Sequence, residues 1–171
     1  MKTIKALLSA LLITICSSTI YAQSDPINSL FDKYADKDGY TTVYVSGKML
    51  QLLSQFGTDP SSRSVLANTS SIKILTSDRP GNNFYDELKQ KSVFDKYEEL
   101  MTVKEAGETT NIYVKYNNAE EQNISDFVMI NSTNYSNVLI SITGNINLRD
   151  LSKLSGTLGM DELSPLEDVE F

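Results

Sequence analysis

Histidine and tryptophan are missing from this 171-residue chain, and cysteine occurs once. Without histidine the commonest general base, the commonest zinc ligand and the usual partner of a serine or cysteine nucleophile are all excluded. Catalysis would have to rest on paired carboxylates or on a Lys–Ser arrangement. The single cysteine, Cys16, permits no internal disulfide and no thiolate metal cluster. Neither a metal nor any other cofactor is expected. Long apolar runs are also scarce: beyond the first residues none approaches membrane-spanning length.

The one apolar run lies at the start. Lys2 and Lys5 provide a positive region, Ala6 to Ile15 an apolar stretch too short to span a bilayer, and Ala22 a small residue before Gln23. This is the pattern of a secretory signal peptide over residues 1–22, cleaved after Ala22. Cys16 falls inside it and is preceded by Ile15, a bulky residue where a lipoprotein signal needs a small one, which argues against a lipid anchor. Residues 23–171 then form a single domain with a short acidic C-terminal tail, Pro165 to Phe171. Removal of the signal leaves 13 basic against 22 acidic residues, a formal charge of −9. Phosphate would repel such a surface, so nucleic acid is excluded as a partner. The expected location is the periplasm or outer cell envelope of a Gram-negative bacterium.

Local patterns divide the domain. Asp25-Pro26 with Ile27, Leu30, Phe31 and Tyr34 predicts a capped amphipathic helix. The turn Asp36-Lys37-Asp38-Gly39 leads to a strand over Tyr40 to Val45, and Ser46 is placed to cap a helix carrying Met49, Leu50, Leu52, Leu53 and Phe56. Gly57 to Ser71 reads as a polar loop with at most a short turn of helix. A short strand follows over Ile72 to Thr76, then a helix opened by Asn82 or Asn83 and reaching Phe94. From Tyr97 the period changes to two. Runs near Glu98 to Lys104, Thr110 to Tyr116, Asn123 to Ile130 and Ser136 to Thr143 are joined by short turn-rich connectors, which predicts an antiparallel meander. The expected fold is α+β, with a mainly antiparallel sheet of five to six strands covered by helices. In ISITGNINLRDLSKL, Gly144 is expected to permit the exit turn from the last strand. Asn147 is placed to cap a helix with a stripe of Leu148, Leu151, Leu154 and Leu158.

Few residues suggest chemistry. The acidic pairs Asp86/Glu87, Glu98/Glu99 and Glu120/Glu121 are adjacent in sequence, so their side chains diverge and build no facing dyad. An EF-hand on Asp36-Lys37-Asp38-Gly39 would need ligands at Tyr34 and Val45, which cannot serve. Ser46-Gly47-Lys48 is the best local candidate, because a strand-to-helix turn gathers backbone N–H groups at one point. A histidine-free hydrolase could use Ser46 with Lys48, although a helix cap and a solvated helix residue explain both. Tyrosines stand in several strands, at Tyr40, Tyr44, Tyr113 and Tyr116. Tyr44 and Tyr113 join Ser46 and Lys48 as surface candidates, since such rings bind proteins and glycans while the hydroxyl stays wet. Four Asn-x-Ser/Thr sequons begin at Asn68, Asn123, Asn131 and Asn134, where turns favour asparagine in any case.

The segments YTTVYVSGKMLQLL, SIKIL, YEELMTVKEAGETTNIYVKY and LISITGNINLRDLSKL, in that order, resemble domain of unknown function family 4252, small exported proteins of Bacteroidota. The resemblance spans about Phe31 to Leu154. It implies location and fold and brings no catalytic residues with it. It also implies a link to envelope-stress, sigma-factor-associated circuits, in which the chain would be an accessory or sensor. The residues themselves favour a non-catalytic module that binds an envelope protein or a glycan.

Overall fold

The computed structural model describes residues 25–56, 60–81, 83–117, 123–147 and 151. The expected signal peptide and cleavage site, and the acidic tail, lie outside the described residues. Helix α1 (Pro26–Tyr34) opens as the sequence predicts: Asp25 accepts from the Ile27 N–H at 3.0 Å, and Pro26 occupies the first turn. Strand β1 (Tyr40–Ser46) passes directly into α2 (Gly47–Phe56). Helix α3 (Pro60–Asn68) and strand β2 (Thr69–Ser77) follow. Then come α4 (Phe84–Gln90), a 3₁₀ turn (Val93–Lys96) and β3 (Glu98–Glu105). Strands β4 (Glu108–Tyr116), β5 (Asn123–Ser132) and β6 (Asn137–Asn147) complete the described elements.

The six strands form one sheet in the order β1-β2-β6-β5-β4-β3, antiparallel at every junction. The meander is therefore real, and β6 closes it by inserting beside β2. Strands β1 and β2 would be parallel if one helix joined them. They have two, α2 out and α3 back, so β2 returns antiparallel to its neighbour.

Both faces of the sheet are covered. On one, Leu50, Val65 and Leu66 of α2 and α3 pack with Ile72, Ile112, Val114, Phe127, Ile140, Ile142 and Leu151. On the other, Ile27, Leu30, Phe31 and Tyr34 of α1 and Phe84 and Leu88 of α4 pack on Leu75, Tyr113, Val128, Ile130 and Leu139. Alternation along the strands sends Val138, Ile140 and Ile142 to the first face and Leu139 to the second. Double coverage explains the near-continuous burial of β4, β5 and β6, a pattern more typical of sheets enclosed by helices than of one-sided ones.

Three predictions are corrected. The polar stretch Gly57 to Ser71 contains α3 and the first residues of β2; only Val65 and Leu66 of α3 are buried among the apolar side chains, too few to mark a helical stripe. The helix opened by Asn83, whose Oδ1 accepts from the Asp86 N–H at 3.1 Å, stops at Gln90 rather than Phe94. Ser92 has φ 52°, which breaks the α-helix before the 3₁₀ turn. Gly144 is not an exit turn. Its φ is not positive, β6 runs on to Asn147, and Gly144 pairs with Thr69 where the β2–β6 register shifts. A Cβ there would strike the Asn68 carbonyl oxygen and lie 2.9 Å from the Thr69 Cα, so glycine is required by close approach. Asn147 is the last residue of β6, and its expected capping role, like Leu148, Leu154 and Leu158, falls on or beside residues outside those described.

Candidate binding surface

Three of the four surface candidates lie on β1 and the start of α2. Ser46 is a helix cap: its Oγ accepts from the Met49 N–H at 3.3 Å. Lys48, in the first turn of α2, is exposed. The Ser46–Gly47–Lys48 turn thus positions a helix, and no carboxylate is hydrogen-bonded to either side chain among the described residues. Tyr44 projects from the face of β1 opposite α2 and is 64 % exposed, with the Lys73 Nζ 5.5 Å from its ring centroid.

Tyr113 is not a surface residue. It is 4 % exposed, and its ring stacks on Phe94 at a centroid distance of 4.2 Å. Phe94 in turn stacks on Tyr85 at 5.5 Å and meets Tyr97 edge-on at 6.5 Å. The Tyr113 hydroxyl donates to Glu99 Oε2 at 3.1 Å. Burial, followed by its hydrogen bonds with Tyr85 and Glu99, raises the hydroxyl above the usual tyrosine range. The two-residue periodicity placed this tyrosine in a strand but could not reveal that α4 and the 3₁₀ turn cover that side of it.

Among the described residues the sheet ends in two edge strands, β1 and β3, and the sequence treats them differently. Edge strand β3 carries Glu98, Glu99, Lys104 and Glu105, and its pairing with β4 is interrupted by a bulge between Glu99 and Met101. Charges and bulges both discourage a further strand from adding. Edge strand β1 has neither. YTTVYVS contains no charge and no proline, and it pairs with β2 without interruption from Tyr40↔Ser77 to Ser46↔Ser71.

The exposed apolar side chains gather at the same edge. The large hydrophobics exposed among the described residues are Val43, Tyr44, Met49, Leu52, Phe56, Val103 and Tyr135, and the first five belong to β1 and α2. Met49, Leu52 and Phe56 form one helical stripe, and Phe56 is 81 % exposed. On the other face of the sheet a groove of about 270 Å³ runs between β1 and α1, lined by Phe31, Asp32, Ala35, Thr42, Tyr44 and Lys73. From Tyr40 to Phe56 the only charged residue is Lys48, whereas 22 % of the whole chain is charged. Depletion of charge around apolar and tyrosine side chains is the composition of an interface core.

A second, polar cleft of about 510 Å³ opens beside α4, where Asn83, Tyr85, Glu99, Thr102, Asn111 and Thr133 line it. Its polar groups are largely engaged with one another: Thr102 Oγ1 lies 2.8 Å from Glu99 Oε1 and 3.1 Å from Asn111 Oδ1. Among the described residues no group of three or more Asp, Glu, Cys or His side chains could hold a metal ion. No described helix is long and apolar enough to cross a membrane.

These features define an α+β protein with a fully antiparallel sheet, helices on both faces, and one open edge that is uncharged and apolar. The chain belongs to the family described as Domain of unknown function (DUF4252), whose model matches residues 34–154. That span runs from the end of α1 to just beyond Leu151 and so includes the whole sheet. No curated protein matches the chain.

Proposed function

We propose that this chain is an exported, non-catalytic binding module of the cell envelope that takes an extended protein segment along β1. The observation carrying the reading is the contrast between the two sheet edges, one guarded by charges and a bulge, the other uncharged, regular and bordered by exposed apolar side chains. An added strand gains main-chain hydrogen bonds along the edge, while side-chain positions on either face supply selectivity. The Met49, Leu52 and Phe56 stripe extends that contact beyond the strand. The basic and apolar start of the sequence supports export. The cap role of Ser46 and the exposure of Lys48 support a non-catalytic role.

A photoreactive residue at Thr41, introduced in cells making the full chain, tests the reading. Cross-links should map to an extended segment of a binding protein, and an acidic substitution at Val43 should remove them. Cross-links that persist with Val43→Glu, or that form only from a probe at Thr109 beside the polar cleft, would overturn it.

A further inference from the structure

The edge is self-complementary, and we infer that the segment occupying it is β1 of a second copy. The inference rests on the edge-strand reading and names its partner. Antiparallel pairing of two β1 strands about Val43 sets Val43 against the partner's Val43, Thr42 against the partner's Tyr44, and Tyr40 against the partner's Ser46. No charge of either sign falls within this pairing, which matters for a chain whose net formal charge is −7. Two copies meeting at an acidic surface would repel, but Tyr40 to Phe56 contains no acid at all.

The side chains fit the same symmetry. A two-fold axis normal to the sheet keeps equivalent faces together, so both α2 helices flank the seam on one side. Their exposed Met49, Leu52 and Phe56 stripes then border it from both directions. On the other face the partner's Tyr44 lies next to Thr42, one wall of the groove bounded by Phe31, Asp32, Ala35 and Lys73, where the acid and the base offset each other. Each copy thus adds a second tyrosine ring beside a groove already lined by Phe31 and Tyr44. Counting the described residues, the resulting sheet has twelve strands, and its outer edges are the two charged and bulged β3 strands.

Charge exchange at the centre of the pairing tests this. In sedimentation of the purified protein the parent should dimerise. Val43→Lys and Val43→Glu should each weaken dimerisation by on the order of 100-fold or more, because like charges then face each other across the axis. An equimolar mixture of the two variants should restore the dimer, a result that requires residue 43 to face residue 43. Val43→Cys in a Cys16→Ser background keeps the test open if the charged variants fold poorly. It should oxidise to a covalent dimer, whereas Tyr40→Cys, which faces the partner's Ser46, should not. A monomeric parent, or a dimer indifferent to these changes, overturns self-pairing. If the parent is monomeric but the Thr41 probe still traps a segment of another protein, edge-strand binding stands and only the partner is wrong. If both tests are negative, both readings fall.

Discussion

Replacing Gly144 by alanine places one methyl group where two backbone segments meet. The added Cβ would collide with the Asn68 carbonyl oxygen and stand 2.9 Å from the Thr69 Cα, and neither atom can swing aside as a side-chain tip could. Relief requires moving the α3–β2 junction away from β6. That junction is anchored by the buried Thr69, whose Oγ1 donates to the Val65 carbonyl at 2.8 Å. Overpacking costs typically ~1–3 kcal/mol, and backbone-to-backbone contact puts Gly144→Ala toward the upper part of that range, about 2–3 kcal/mol. For a chain of this length the loss corresponds to an unfolding midpoint lower by about 4–12 °C. Thermal unfolding followed by circular dichroism measures it. Gly144→Asn separates this account from a turn role. Asparagine tolerates left-handed backbone better than alanine, so a turn would favour it, whereas a steric origin makes it no better than alanine. An unchanged midpoint for Gly144→Ala, or a clear advantage for asparagine, would refute the reasoning.

Further outcomes follow from the same structure. Ser46→Ala should cost about 0.5–1 kcal/mol through loss of the α2 cap, read as a lower denaturation midpoint with the β1 contacts retained. Tyr113→Phe should cost about 0.5–1.5 kcal/mol and Tyr113→Ala about 3–5 kcal/mol in chemical denaturation, because the ring is buried; near-equality of parent and alanine variant would return Tyr113 to the surface. Glu87 receives hydrogen bonds from Lys33 at 2.7 Å and from the Tyr34 hydroxyl at 3.0 Å. Burial alone would raise its carboxyl, but these bonds prevail and hold it below its ordinary value of 4.5, while the Glu87 bond lifts Lys33 above 10.5. The Glu87 contribution is therefore present above pH 4.5 and lost as the pH falls through the lowered value. That of Lys33 is present below pH 10.5 and lost as the pH rises through the raised one. Because the pair is partly solvated, Glu87→Gln should cost only about 0.5–1 kcal/mol near neutrality, with the difference from the parent vanishing in acid.

Much of the architecture was legible because its causes are local. Asp25-Pro26 caps α1, Ser46 caps α2 and Asn83 caps α4, each through a side chain and a backbone group a few residues apart. The β3–β4 connection was equally readable: Ala106 and Gly107 both have positive φ, 42° and 90°, as a two-residue hairpin turn requires. What escaped depends on distant neighbours. Val65 and Leu66 are too few to announce α3, although they seal the core against Leu50. Gly144 resembled a turn until Asn68, far away in sequence, proved to pass beside it. Tyr113 and Tyr44 look alike as strand tyrosines; one lies mid-sheet beneath α4 and the 3₁₀ turn, the other on the outermost strand. The candidate surface was half legible. Tyr44, Ser46 and Lys48 drew attention to the right segment, but for chemistry. Its apolar and uncharged character acquires meaning only once β1 is known to be an edge.

Amide hydrogen exchange over Tyr40–Ser46, measured at rising protein concentration, tests the central claim most directly. In a lone copy the Tyr40 amide donates to the Lys37 carbonyl at 3.2 Å. The later β1 amides that point away from β2 meet no further strand among the described residues and should exchange rapidly. Pairing with a second copy covers them, so protection of this segment should grow with concentration while that of β3 stays constant. Protection of β1 that is independent of concentration and of any added binding protein would contradict the account.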